Sequence, residues 1–301
     1  MQKEKINPQN RKLVAIVGAT ASGKTVWAKN IARMFNGQII SVDSRQIYKG
    51  MDIGTAKDKT FPQDMIDIVE PNQTFTLADY QNMVGDLIEK YFSEGITPVL
   101  AGGTGLYLDA VIYGYQIPDF SQDSLKIRAE LEKNSDEELH QKLVELDSWS
   151  AQRIDPKNRR RVIRAIEVSI ITSKPYSEQL VKRKPNYDVL IVGIDASRET
   201  LYAKIDARVE RMVKDGLVEE VRGLLEKYAS DLPSLNTIGY KEIIDYLQGR
   251  ITIREAIQRI QFNTHAYVRR QITWFKRDPN IKWVKNIEEA EKLIERFLKK
   301  A

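Results

Sequence analysis

The 301-residue chain has no cysteine and only two histidines, His140 and His265. Lack of cysteine excludes structural disulfides, thiolate–zinc sites and cysteine nucleophiles, and points to a reducing compartment. Two histidines leave too little for a histidine-rich metal centre. No segment approaches the roughly 18 to 20 continuous apolar residues of a membrane span. The polar start MQKEKINPQNRK also lacks the apolar run of a signal peptide. A soluble, cytoplasmic protein with no membrane partner is expected. Its length suits a large core with a smaller second unit.

Charge is modest in sum and uneven in place. The formal net charge is +5, with a pI near 9.1, which permits a polyanionic partner. Residues 119–147 carry four basic against nine acidic side chains, whereas 153–184 carry ten basic against three acidic. The basic set includes Arg159, Arg160, Arg161 and Arg164, four arginines within six residues, besides Lys182, Arg183 and Lys184.

LVAIVG (13–18), QIISVD (38–43) and TPVLAGG (97–103) are short apolar runs closed by Gly or Asp, with helical patterns such as VWAKNIARMF (26–35) between them. DVLIVGID (188–195) and IKWV (281–284) read as further strands. This alternation predicts an α/β fold, a P-loop NTPase-like parallel sheet core. Between Gln116 and Tyr187 the pattern turns to charged helical stretches, entered through IPDFSQD and left through VKRKPNYD, both boundary-like in composition. The expected domains are therefore a core of residues 1–115 plus 188–301 and a helical insertion of residues 116–187.

GATASGKT (18–25) fits G-x-x-x-x-G-K-[ST] between a strand and a helix. Gly18 ends the strand, and Gly23 lets Thr20, Ala21 and Ser22 turn their amides around a phosphate. Lys24 adds a point charge, Thr25 a hydroxyl able to hold Mg²⁺, and the helix its positive end. Asp43 closes the second strand on the same side, because ligand crevices in open parallel sheets lie at the carboxyl ends of the strands. It can serve as a hydrogen-bond or proton acceptor, or only as the cap of a following helix. The third strand ends in Gly102, Gly103 and Thr104 rather than in the Asp usual for triphosphate hydrolysis. No guanine-reading N-K-x-D motif is present.

GATASGKT, VDSRQIYKGMDIGTAK, AGGTGLY and, far downstream, QITWFK together resemble the tRNA dimethylallyltransferase family. The resemblance runs through nearly the whole chain. It implies transfer of a five-carbon allyl group from dimethylallyl diphosphate to the exocyclic 6-amino group of adenosine 37, just 3′ of the tRNA anticodon. The phosphate loop would then hold an allylic diphosphate with Mg²⁺ on Thr25, and Asp43 would be the general base. Thr20 would lie near the reacting carbon, and Arg208 would reach the diphosphate from the opposite side. Lys204, Arg208 and Arg211 share a helix face at i, i+4, i+7, which a basic patch or solvated charge explains equally.

For tRNA the resemblance implies contacts from Asp43, Ser44, Arg45 and Gln46, from Thr104 and Arg128, and from Arg160, Arg161, Val162, Ile163 and Arg164. NTIGYK (236–241) and VRRQITWFK (268–276) match further stretches that touch tRNA, although Trp274 and Phe275 read as core. Ala19 stands where many members have Pro, and the zinc finger some eukaryotic members add at the C-terminus is ruled out here by the missing cysteines. A monomer is expected. A small-molecule P-loop kinase with an arginine-rich lid, or an ATP-gated RNA-binding protein, would also use Lys24 and Thr25.

Overall fold

The computed structural model describes residues 11–115, 117, 122–179 and 187–300. Among the described residues six strands form one parallel sheet: β1 (Lys12–Val17), β2 (Gly37–Val42), β3 (Gln63–Asp64), β4 (Thr97–Gly102), β5 (Asp188–Ile194) and β6 (Ile281–Val284). Their spatial order is β3-β2-β4-β1-β5-β6. Leu13 to Val17 of the inner strand β1 are buried. That is why the strand reads as a continuous apolar run rather than an alternating one. Val17 pairs with Gly102 on one side and Gly193 on the other, and Val42 also faces Gly102, so β1, β2 and β4 end level with one another. A Cβ on Gly102 would lie 2.0 Å from the Val42 carbonyl oxygen. Close approach of β2 therefore dictates the glycine where an acidic residue was sought.

The helices are α1 (Lys24–Met34), α2 (Leu77–Ser93), α3 (Gly105–Tyr113), α4 (Gln122–Leu131), α5 (Asp136–Leu146), α6 (Ser148–Ala151), α7 (Arg159–Thr172) and α8 (Tyr176–Gln179). After β5 follow α9 (Arg198–Lys214), α10 (Leu217–Leu225), α11 (Tyr240–Leu247), α12 (Ile253–Phe275) and α13 (Ile287–Lys299). Most start where a short polar side chain accepts an orphan amide: Ser197 from Thr200, Thr252 from Glu255, Asn286 from Glu289. No helix among the described residues is long and apolar enough to cross a membrane.

The chain divides into two compact units, one of Met1–Phe75, Asn82–Leu108 and Asn186–Ala301, the other of Thr76–Gln81 and Asp109–Pro185. In the first, Val14, Ile16, Ile31, Val192 and Ile294 join sheet, α1 and α13 in one core, while Ile47, Met51, Leu217, Val221, Tyr240 and Val268 form a second under α9 to α12. The helical unit has its own core of Leu131, Leu139, Leu143, Val162, Ile163 and Ile166. Most of the segments IPDFSQD and VKRKPNYD, with Lys182, Arg183 and Lys184, lies outside the described residues.

One local expectation fails. No helix follows β2: residues 44–62 run through turns to the two-residue strand β3, which the sequence pattern did not reveal. Asp43 therefore has no helix to cap.

Candidate active site

The loop between β1 and α1 owes its shape to two residues in the left-handed region, Ala21 (φ 65°) and Gly23 (φ 94°). Gly23 suits that conformation; Ala21 is strained there, and strain of this kind gathers at ligand sites. α1 has no side-chain cap, a feature it shares with α10 and α11, but unlike those two it has no acidic residue in its first turn either. Its N-terminal amides and dipole are left to a ligand, the arrangement that suits an anion. The Ser22 hydroxyl is buried without a hydrogen-bond partner, a second unfilled donor in the same loop. Lys24 Nζ folds back onto the Ala19 carbonyl at 2.8 Å. Burial pushes its pKa down to about 8, although Asp43 pulls the other way.

A cavity of about 510 Å³ opens in front of this loop, within the usual range for small-molecule sites. Thr20, Ala21, Gly23, Lys24 and Thr25 line it, as do Asp43 from the end of β2 and Lys204, Arg208 and Arg211 from α9. The shared helix face of these three cations is thus turned into the cavity. Burial lowers the pKa of Arg208, Arg211 lowers it further, and Asp43 opposes both. Asp58 also lines the cavity but is bound to Lys29 and Thr60. The cavity is cationic, with the partly buried Asp43 as the carboxylate that no lysine or arginine side chain among the described residues pairs.

That carboxylate is held by its own chain. Asp43 Oδ1 accepts the Arg45 amide at 2.8 Å, a turn-forming bond of the kind Asp makes two residues on. Burial raises the Asp43 pKa above the ordinary carboxylate range, while the Arg45 and Gln46 amides and the Lys24 charge oppose the rise. It therefore stands ready to take up a proton. The neighbouring expected residues form a connected shelf: the Ser44 amide donates to Thr104 Oγ1 at 3.2 Å, and the Arg45 guanidinium reaches the Pro233 carbonyl at 3.4 Å. Gln46 Oε1 accepts from Ser41 Oγ at 3.0 Å. Gly18 closes β1, where a Cβ would meet Ser22 Oγ at 2.9 Å.

In the helical unit the expected tRNA residues divide by burial. Arg160 and Arg161 are exposed at the start of α7, whose Asn158 caps the Arg161 amide. Val162 and Ile163 are 1 % and 4 % exposed and belong to the core; their side chains hold the helix and do not face a partner. Arg164 and Arg128 both bind the buried Glu167 Oε2, at 3.2 and 2.8 Å. Tyr240 of NTIGYK and Phe275 of QITWFK are also core residues.

Sequence reasoning missed the supports of the site. Glu220 accepts the amides of Asp52, Ile53 and Gly54 at 3.0, 2.7 and 3.2 Å and the Tyr240 hydroxyl at 2.6 Å, fixing the loop that brings Thr55 and Ala56 to the cavity. Tyr267 on α12 lies close enough to Asp43, Thr104 and Gln271 for all three to influence its hydroxyl, whose pKa burial raises. A lone Glu in an amphipathic helix carries no signal for this. Only the polar Gln271 between apolar Val268 and Phe275, all three buried, hinted at an inward task.

A parallel sheet whose glycine-rich loop opens an uncapped helix, with cations facing it across a cavity, defines a P-loop α/β protein that binds a phosphorylated small molecule. The pattern of the IPP transferase family matches residues 46–278. The chain is 47 % identical over 279 residues to a tRNA dimethylallyltransferase of Roseiflexus sp. (strain RS-1), covering 89 % of this chain and 91 % of that one. It is 41 % identical over 298 residues to that of Bacillus mycoides (strain KBAB4), covering 95 % and 93 %. Among solved structures, the tRNA isopentenylpyrophosphate transferase of Bacillus halodurans is similar at 38 % identity and a TM-score of 0.72, over 96 % of this chain and 97 % of that one. A eukaryotic dimethylallyltransferase acting on tRNA, at 24 % identity and a TM-score of 0.78 over 95 % of this chain and 77 % of that one, shares the fold. The chain belongs to the IPP transferase family.

Proposed function

We propose that this chain transfers the dimethylallyl group of dimethylallyl diphosphate to the N6 amine of adenosine 37 in tRNA, giving N6-isopentenyladenosine and diphosphate. One observation carries the reading: the cationic cavity under the uncapped end of α1 adjoins the partly buried carboxylate of Asp43, while the strand end that would carry a hydrolytic acid is sterically limited to Gly102. A site built so neutralises a leaving diphosphate and removes a proton from a nucleophile.

As the allylic C–O bond breaks, its electron pair passes to the diphosphate. Lys24, Arg208 and the amides of Ala21 to Gly23 stabilise the charge that builds there. The N6 lone pair forms the new C–N bond, and its proton passes to Asp43, which both aligns and deprotonates a weakly nucleophilic amine. Ser44, Arg45, Gln46 and Thr104 frame the acceptor base. The base must leave its stack to reach them. Residues 116–187 serve tRNA through Arg160 and Arg161, whose exposed guanidinium groups suit backbone phosphates.

The donor set also fits Mg²⁺. Among the described residues no group of three or more His, Cys, Asp or Glu forms a metal cage, and Mg²⁺ commonly takes few protein ligands alongside substrate phosphates and water. Thr25 would hold it, and when bound it would add charge neutralisation to the departing diphosphate.

The test is nucleoside mass spectrometry of tRNA incubated with the protein and dimethylallyl diphosphate. One added five-carbon allyl unit on adenosine, without consumption of ATP, is expected. ATP turnover without allylation would overturn the reading in favour of a kinase or an ATP-gated RNA binder.

A further inference from the structure

The side chain of Gln271 is the polar link from α12 to two loops of the site. It is 5 % exposed. Its Oε1 accepts the Thr20 amide at 2.8 Å, and its Nε2 donates to the Gly103 carbonyl at 2.9 Å. Because one partner is a backbone donor and the other a backbone acceptor, only one orientation of the carboxamide satisfies both. A Cβ on Gly103 would lie 2.3 Å from Gln271 Nε2, so the glycine is there to let the amide approach.

The two anchored loops belong to different halves of the proposed reaction. Thr20 opens the phosphate loop, on the side of the allyl donor. Gly103 precedes Thr104, which accepts the Ser44 amide next to Asp43, on the side of the acceptor base. Holding the Thr20 amide also removes it from the set that can face the diphosphate and leaves those of Ala21 to Gly23. Beyond the strand ends, where the pairing of Val17 and Val42 with Gly102 stops, Gln271 braces the two loops that place the donor carbon and the base. Misplacement of about 1 Å costs transfer reactions on the order of 10²-fold.

We infer that Gln271 is a positioning residue that sets the distance between the phosphate loop and the Asp43–Thr104 shelf, and so aligns the allyl donor with the amine that attacks it. This rests on the assignment of the two loops to donor and acceptor given above. Both polar atoms of the Gln271 carboxamide are bonded to protein backbone, so its effect on the substrates passes through the loops it holds. Its stretch, VRRQITWFK, was expected to face tRNA; at this position the side chain points into the protein.

The experiment compares Gln271→Met, Gln271→Glu and Lys24→Met with the parent in single-turnover transfer, alongside the separate affinities for tRNA and dimethylallyl diphosphate and the melting temperature. Methionine keeps the volume and loses both bonds. Gln271→Met is expected to lower the transfer rate about 10- to 100-fold, while both affinities stay within about threefold of the parent. In Gln271→Glu an ionised carboxylate opposes the Gly103 carbonyl, and only its protonated form donates to it. Its rate relative to the parent should therefore rise as pH falls from about 8 to 6, a rescue that a merely structural role would not give. A Gln271→Met rate equal to the parent's per folded molecule, with Lys24→Met impaired, overturns the inference alone. Unimpaired Lys24→Met overturns the assignment of the phosphate loop beneath it.

Discussion

Asp43 and Lys24 hold opposite charges at the same cavity, and burial disfavours both charges. For Asp43 the consequence is a base whose pKa lies above the ordinary carboxylate range, so the acidic limb of the transfer rate should also lie above that range. Asp43→Asn keeps the shape and an acceptor but cannot take the proton. Single-turnover transfer should fall about 10² to 10⁴-fold with diphosphate affinity little changed. Since no helix follows β2, a rate within a few-fold of the parent would reduce Asp43 to the turn bond it makes with Arg45. For Lys24, with a pKa lowered to about 8, diphosphate must bind the protonated amine. Affinity should weaken as pH rises through about 8, approaching about tenfold per pH unit, and calorimetry above that pH should register proton uptake. Lys24→Met should lose this dependence.

At the scale of the element, α7 carries two kinds of arginine that look alike in sequence. Arg160 and Arg161 are exposed, whereas Arg164 is held with Arg128 on the buried Glu167. Arg160→Ala should weaken all substrate tRNAs alike and make the slope of log affinity against log salt shallower by about 0.7 to 0.9, with the melting temperature unchanged. Arg164→Ala leaves Glu167 with one partner fewer and should cost about 1 to 3 kcal/mol of stability in denaturant titrations. Equal melting temperatures for the two variants would show that the Glu167 pair does not hold the helix. α1 makes the converse case, since its missing cap weakens an isolated helix and suits one that ends on an anion.

For the whole molecule, the site is a place where stability is given up for binding. A lysine whose folded-state pKa is depressed penalises the folded protein at pH 7, where it must carry a buried charge, and the penalty fades only as pH rises through about 8 toward its unfolded value. Lys24→Met should therefore stabilise the free protein by about 1 to 3 kcal/mol. Dimethylallyl diphosphate at about 100 times its dissociation constant should add about 2.7 kcal/mol to the parent and almost nothing to the variant. Thermal melts of both proteins with and without ligand check the pair of signs, and a destabilised Lys24→Met would contradict the buried-charge account.

Local chemistry was enough to read every strand of the sheet but the two-residue β3, the phosphate loop and the change to helical pattern after Gln116, because apolar runs, Gly23 and Lys24-Thr25 act within a few residues of themselves. The family could be read for the same reason, as its blocks are contiguous. What only the tertiary structure decided depends on partners distant in sequence. Gly102 is fixed by Val42 on a neighbouring strand, Glu220 by a loop some 166 residues earlier, and Gln271 by Thr20 and Gly103. The turns after β2 replaced an expected helix because the Asp43–Arg45 bond and the distant hold of Glu220 on residues 52–54 satisfy backbone amides there. Likewise Val162 and Ile163 went to the core and Arg164 to Glu167, since burial is a property of the packed helical unit and not of the run RRVIR.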